Sequence, residues 1–406
     1  MRRLEAVFRA GIGPITQVQE KINKPRLLIC ADWFDPGVGA GGPIRSCVNL
    51  AMLLGANTRV SIITSDRDLG ADAPYPETPS NRWLNWHGRV TVVYCSSVCR
   101  RLVSLAATLR RHPPDALYLN SVFSFAGTLW PLFWTCVTRS RTRVVLAPRG
   151  MLKMSAFMQK RWKKQPLIFL MKATGLVRNV VFQATSRDEI NEIKAVFGDV
   201  AVRLVPNVPA TPVDAPPRRL KCPGSARLCF IGRVHPTKNL LWLLEAMKQL
   251  PVECRLTVVG PVEDASYYEK CASVIDTLPQ NVTVDFAGSQ SEAEIGQLLV
   301  RSDAMVLPTL GENFGHAIFE SLAQGTPVII SDRTIWRDLK SKQAGWDLSL
   351  DQPAGMISVI EALAAMSQQQ HEVLREGALK VASDFVNQYQ FADEYHRLFF
   401  DSGEPR

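Results

Sequence analysis

Short apolar runs recur along the chain, separated by segments of helical period. In the first half they fall at 26–31, 59–64, 89–94, 115–119, 143–147 and 179–184; in the second at 226–231, 254–260, 282–287, 304–308 and 326–330. Runs this short and this uniformly apolar read as strands covered on both faces, and their alternation with helices predicts parallel sheets. Between the two sets, VPNVPATPVDAPPRRLKCPGS (205–225) holds six prolines and almost no apolar period, which predicts a linker. The predicted architecture is α/β: two doubly wound Rossmann-like domains facing across a cleft. The first spans 1–206, the linker 207–225 and the second 226–385, and a C-terminal helix in 386–406 is expected to return to the first. Ligands belong at the C-terminal ends of such strands.

One run departs from this rhythm. Ala116 to Thr138 is 23 residues without a charge, long enough to span a bilayer. Asn120, Ser121, Ser124, Gly127 and Pro131 interrupt it, so it reads as a buried strand (DALYLN) followed by an apolar helix (LWPLFWTCV) with part of its surface open to lipid.

Composition adds little and charge adds more. The chain has 406 residues, 46% hydrophobic and 21% charged, an ordinary globular balance. Nine cysteines, with no CxxC pair and several inside apolar runs, read as buried thiols in a reducing compartment. The N-terminus lacks the continuous apolar core of a signal peptide, so a cytoplasmic location is expected. Residues 1–200 carry 28 basic against 13 acidic residues, whereas the remainder carries 19 against 25. From Ala116 to Arg187 there is no acidic residue and there are twelve basic ones, including Lys160, Arg161, Lys163 and Lys164. That half is expected to meet something anionic.

Gly37, Gly39 and Gly42 fit G-x-G-x-x-G, the dinucleotide-binding pattern. Asp32 to Pro36 separate the first glycine from the strand, too long a detour for the tight turn that fold requires. A loop that lays Gly41 and Gly42 at a helix N-terminus keeps the physics, because bare backbone N–H groups there can face a phosphate or a sugar. A ligand-free glycine turn fits the segment equally well.

The richest stretch is AMVLPTLGENFGHAIFESLAQGTPVIISD, 304–332. A strand leads into a loop holding Glu312, a helix begins near Gly315, and Glu320 lies on that helix about 7 Å further along its axis. A helix N-terminus between two carboxylates suits a diphosphate flanked by hydroxyl-bearing groups, the layout of a nucleotide-sugar. Two solvated glutamates at a helix end would give the same spacing. A second loop tips the balance. In ARLCFIGRVHPTKNLLWLLEAM (226–247), Arg233 and Lys238 stand between strand and helix, where two cations would neutralise a diphosphate as it leaves.

GRVHPTKNL, ENFGHAIFE and GTPVIISD together resemble the retaining glycosyltransferases of family GT4, which have the GT-B fold. GVGAGGP, ATSRDEI (184–190) and VPN (205–207) match further landmarks, so the resemblance covers most of the chain. It implies that Glu312 contacts donor-sugar hydroxyls, Glu320 the nucleoside ribose, and Arg233 with Lys238 the diphosphate. Asn313, Phe314 and Gly315 would complete the contacts through their backbone, His316 would donate to the phosphate, and Gly41 and Gly42 would approach from the other domain. Many members place a His at the end of the fourth N-domain strand, facing the sugar. Here Asn120 stands there, able to hydrogen-bond a hydroxyl but not to take a proton. APRGMLKMSA (147–156) resembles a subset acting in bacterial surface-polysaccharide assembly; Arg149 would then bind an acceptor diphosphate, and a structural ion pair fits it equally well. The implied partners are a nucleotide-diphosphate sugar and a glycan or polyprenyl-diphosphate-linked acceptor, with retention of configuration.

Other signals are weaker. Asp66-Arg67-Asp68 mimics a D-x-D metal site without neighbouring ligands, Cys95 and Cys99 lack zinc partners, and His235 reads as a loop residue, so no metal and no cofactor are expected. The basic run 139–164 carries no nucleic-acid signature. Lys160, Arg161, Lys163 and Lys164 beside Trp162 and PLIFLM suit an anionic membrane surface, which places the protein peripherally on the inner face of the cell membrane. A nucleotide-sugar epimerase and a non-catalytic nucleotide-sugar-binding protein are the competing readings.

Overall fold

A computed structural model describes residues 24–153, 161–210 and 220–401. The chain divides into two compact units, one formed by 24–208 with 390–401, the other by Pro209–Tyr389. The expected linker thus lies partly, at 211–219, outside the described residues.

The first unit runs β1 (Arg26–Cys30), α1 (Gly42–Leu54), β2 (Arg59–Ser65), β3 (Trp83–Trp86), β4 (Val90–Cys95), α2 (Val98–Arg111), β5 (Ala116–Leu119), α3 (Trp130–Val137), β6 (Arg143–Leu146), α4 (Arg161–Ala173), β7 (Val180–Ala184), α5 (Arg187–Phe197) and β8 (Ala201–Leu204). Its eight strands lie in the order β3-β4-β2-β1-β5-β6-β7-β8. Every pairing is parallel except that of β3 with β4. The central strands are buried on both faces, which is why they read as apolar runs: Leu27, Leu28, Ile29, Ile62, Leu117 and Leu119 are all sealed from solvent. Serines cap two of the covering helices, Ser97 accepting from Arg100 N and Ser186 from Glu189 N.

In the second unit come β9 (Ser225–Ile231), α6 (Leu240–Met247), β10 (Glu253–Val259), α7 (Ala265–Ile275), β11 (Val282–Gly288), α8 (Glu292–Arg301), β12 (Ala304–Leu307), α9 (His316–Ala323), β13 (Val328–Ser331), β14 (Gly345–Leu348), α10 (Pro353–Ala365) and α11 (Gln368–Gln388). The sheet is wholly parallel, ordered β11-β10-β9-β12-β13-β14. Helix α11 runs past the predicted boundary at 385, and only α12 (Phe391–Phe400) belongs to the first unit. There Tyr395, Leu398 and Phe399 are buried, and Arg143 Nε on β6 donates to Leu398 O at 2.8 Å.

Three strands escaped the hydrophobic pattern: β3, β8 and β14, each at a sheet edge. Because β3 precedes it, the strand that leads into Asn120 is the fifth of its domain by chain order, a correction to its expected fourth place. The uncharged segment resolves into β5, a π-helical turn (Phe125–Leu129) and α3, with Phe133 and Val137 exposed. No helix among the described residues is long and apolar enough to cross a membrane. Six of the nine free cysteines are buried, and Cys99, Cys136 and Cys222 are exposed, against the expectation that all nine sit inside. Burial pushes the Cys30, Cys47, Cys229 and Cys254 thiols up to about 12.

Candidate active site

In an open parallel sheet the strand loops diverge where the strand order reverses, leaving a crevice at the C-terminal edge. In the second unit that point lies between β9 and β12, the two strands whose loops carry the predicted residues. The loops are laced together. Leu310 N donates to Thr237 O at 2.8 Å, Thr309 Oγ1 to the same carbonyl at 3.1 Å, and Ser331 Oγ on β13 to Thr309 O at 2.6 Å. A short 3-10 turn, Pro236–Lys238, is capped by His235, whose Nδ1 accepts from Thr237 N at 3.2 Å. His235 is therefore a structural cap, as a loop residue would be.

This lacing brings Lys238 and Glu312 together: the ammonium donates to Glu312 Oε1, and the two side chains are only 18% and 13% exposed. The Lys238 stem passes over Gly232, where an added Cβ would stand 3.6 Å from it. Arg233, on the same loop, pairs with Glu263 and is more open. Glu312 N donates to Arg333 O at 3.2 Å, so the carboxylate is fixed from its backbone as well.

Gly315 caps α9 with φ 79°, in the left-handed region, and a Cβ there would meet Ile318 Cδ1 at 2.8 Å. This backbone favours glycine, and the contact with Ile318 leaves no room for a side chain. Phe314 anchors the turn: its ring is buried among Phe319, Trp336 and Phe385, and Trp336 Nε1 donates to its carbonyl at 2.7 Å. Asn313, His316 and Glu320 are half-buried around the same helix start, the His316 ring 4.8 Å from that of Phe314. Five of the residues predicted from the Glu-loop stretch, Glu312 to His316, thus form one helix entrance, and Glu320 follows one turn along α9.

Gly41, Gly42, Asn120 and Arg149 lie in the first unit, whose strand order reverses between β1 and β5. The glycine loop is held by Asp68, whose carboxylate accepts from Val38 N at 2.8 Å and Gly39 N at 2.9 Å. The D-x-D mimic therefore clamps a loop, with Asp66 accepting from Ser80 and Arg67. Among the described residues no group of three or more His, Cys, Asp and Glu side chains is placed to hold a metal. Gly41, at φ 60°, precedes α1, and space is open where its Cβ would be.

Asn120 donates from Nδ2 to Pro43 O at 3.3 Å and accepts at Oδ1 from Arg149 Nε at 2.7 Å. Arg149 also donates to Asn207 and to Tyr118 Oη, which places it in an internal network. Tyr118 donates to Gln183 at 2.6 Å, Gln183 to Tyr395 at 2.8 Å, and Tyr395 to Pro206 O at 3.0 Å. Sequence reasoning missed Gln183, Asn207 and Tyr395. Gln183 had left a signal as a polar residue inside the apolar run VVFQA, and Asn207 as the last residue of the VPN landmark.

With this geometry in hand, comparison with known proteins is informative. Residues 217–346 match the family model "Glycosyl transferases group 1". That segment holds Arg233, Lys238, Glu312 and Glu320. A phosphatidyl-myo-inositol mannosyltransferase of Mycobacterium leprae is 25% identical over 205 residues, 48% of this chain and 51% of that protein. The chain thus matches about half the length of that relative. An O-antigen chain mannosyltransferase B of Escherichia coli is 26% identical over 133 residues, 31% of this chain and 34% of its own. The structure of Anabaena HepE in complex with UDP-glucose aligns with a TM-score of 0.68 at 16% identity, covering 91% of this chain and 99% of that one, a likeness of fold.

Proposed function

We propose that this chain transfers a sugar, with retention of configuration, from a nucleotide-diphosphate sugar to a glycan or polyprenyl-diphosphate-linked acceptor in surface-polysaccharide assembly, without a metal. The observation that carries the reading is the joining of Lys238 to Glu312 at the sheet's switch point, beside the N-terminus of α9. Lys238 and Arg233 neutralise the diphosphate as the glycosidic bond breaks, and the N–H groups at the start of α9 add their dipole. Glu312 stands by the sugar, where positive charge develops, and Glu320 takes the ribose hydroxyls. Asn120, oriented by Arg149, offers an amide rather than an imidazole to the transfer, and Arg149 serves that site by holding Asn120 in place. The HepE complex with UDP-glucose and the O-antigen relative support the donor and acceptor classes.

The same reading places the protein on an anionic membrane surface at the cytoplasmic face. Helix α4 turns Trp162, Phe169 and Leu170 outward, at 73%, 74% and 53% exposure, and α3 leaves Phe133 and Val137 open. Lys164 Nζ sits 5.2 Å from the centre of the Phe123 ring. Lys160 lies outside the described residues, as do the side chains of Arg161 and Lys163. A thermal-shift screen of nucleoside diphosphates and nucleotide-sugars tests the function. The true donor stabilises the fold by RT ln(1 + [L]/Kd), and the reading fails if no nucleotide raises the melting temperature at millimolar concentration.

A further inference from the structure

The buried polar network of the first unit ends on Arg149, and each of its bonds has a defined direction. We propose that Gln183 is a positioning residue for the transfer: through Tyr118 it holds the Arg149 guanidinium, and through Arg149 the Asn120 amide, in the orientation the transfer uses. This rests on the reading above, in which Asn120 faces the reacting groups.

The direction is set at two backbone carbonyls, which can only accept. Gln183 donates from Nε2 to Val205 O and to Tyr395 Oη, both at 2.8 Å, and Tyr395 passes its own proton to Pro206 O at 3.0 Å. The amide nitrogen of Gln183 is thereby committed, so its Oε1 faces Tyr118 and accepts the phenol proton at 2.6 Å. With that proton directed away, Tyr118 Oη is left as an acceptor, and Arg149 Nη2 donates to it. Arg149 Nε donates in turn to Asn120 Oδ1 at 2.7 Å. The nitrogen edge of Asn120 then turns to the first turn of α1, just after Gly41 and Gly42, where it meets Pro43 O at 3.3 Å and the Cys47 thiol. Asn120 is thus set as a donor on the side of the glycine loop.

Stability alone does not call for this arrangement. Tyr118, Gln183 and Tyr395 are sealed from solvent, and an apolar set of the same shape would hold β5, β7 and α12 together as well. A fully satisfied polar set fixes orientation instead. Its end point is held with unusual care. Arg149 sits at φ 56° and Gly150 at φ 73°, and the buried Glu189 carboxylate accepts from Gly150 N at 2.8 Å and from Thr185 N at 2.8 Å. A non-glycine residue keeps a left-handed backbone only where its surroundings fix it, and such residues cluster at functional sites. The partners of the guanidinium, Asn120, Asn207 and Tyr118, are all neutral, so they aim the cation without cancelling its charge.

The test uses the full chain carrying isotopically labelled asparagine, with the Asn120 side-chain amide signal assigned by its loss in Asn120→Asp. Gln183→Met keeps the length of the side chain and removes its hydrogen bonds. The Asn120 signal should shift. Release of nucleoside diphosphate from the nucleotide-sugar selected by thermal shift should slow roughly tenfold in kcat, with KM for that donor unchanged. Tyr118→Phe should do the same, and the double variant should be no slower than either single one, because both break one relay. If Gln183→Met fails to fold, Tyr118→Phe decides alone. The positioning is overturned by an unmoved Asn120 signal, by a parent-like kcat, or by losses that multiply in the double variant. Asn120→Ala tells the two readings apart. Parent-like turnover there removes Asn120 from the transfer and this inference with it, whereas a slow Asn120→Ala beside parent-like Gln183→Met and Tyr118→Phe overturns the inference alone.

Discussion

Lys238 and Glu312, 74 residues apart in sequence, meet as an ion pair where the loops of two adjacent parallel strands converge. An ammonium has three N–H donors, so one bond to Glu312 aims the cation without exhausting it. Lys238→Ala should weaken binding of the free nucleoside diphosphate roughly 10- to 100-fold, the equivalent of about 1.5–3 kcal/mol for a charged hydrogen bond. Calorimetry with the nucleotide found by screening measures this, and parent-like affinity would remove Lys238 from the diphosphate site.

Gly315 makes the helix entrance possible. In Gly315→Ala the left-handed backbone costs about 1–2 kcal/mol, and Ile318 must also shift away from the new methyl. Thermal unfolding should fall by about 2–4 °C for each kcal/mol. Unchanged melting would mean that the helix starts differently from the geometry described.

Glu192 gives a pH signature. Its half-buried carboxyl is pushed up to about 7 by desolvation, against the pull of Lys153 and with help from Glu189 and Asp188. The folded state therefore holds a proton that the unfolded state has released, and stability falls as pH rises from the ordinary carboxylate range through about 7. Glu192→Gln should melt higher than the parent at pH 8, by roughly 1 kcal/mol after allowance for solvent screening, and nearly with it at pH 4. Melting curves across that range decide; a constant difference would assign the effect to something other than titration.

Membrane attachment through α4 is tested by Trp162→Ser with Phe169→Ser. The pair should release the protein from anionic vesicles more than from neutral ones. Replacement of Lys160, Arg161, Lys163 and Lys164 by Gln should do the same at moderate salt, each charge being worth about 1 kcal/mol. Sedimentation with vesicles reads both, and undiminished binding of both variants would exclude this surface.

What could be read in the sequence follows from burial. Strands covered on both faces, such as Leu27–Cys30 and Met305–Leu307, must be apolar throughout and so announced themselves. Edge strands such as Trp83–Trp86 and Gly345–Leu348 need only partial cover, so polar residues interrupt them and no run marks them. The helix entrance from Glu312 to Glu320 was legible because its residues are contiguous. The Tyr118–Gln183–Tyr395 network was hidden, since it joins two strands to a helix more than 200 residues away and no local spacing records it.

The central claim is that the two glutamates act on different halves of the donor. If Glu320 holds the ribose, Glu320→Ala should weaken the free nucleoside diphosphate roughly 10- to 100-fold. If Glu312 serves the sugar, Glu312→Gln should leave nucleotide affinity intact or slightly raised, because Lys238 is then released toward the diphosphate, while turnover of the full donor falls. Calorimetry of both variants beside initial rates measures this directly. Equal weakening of nucleotide binding in the two, or near-normal turnover in Glu312→Gln, would contradict the account.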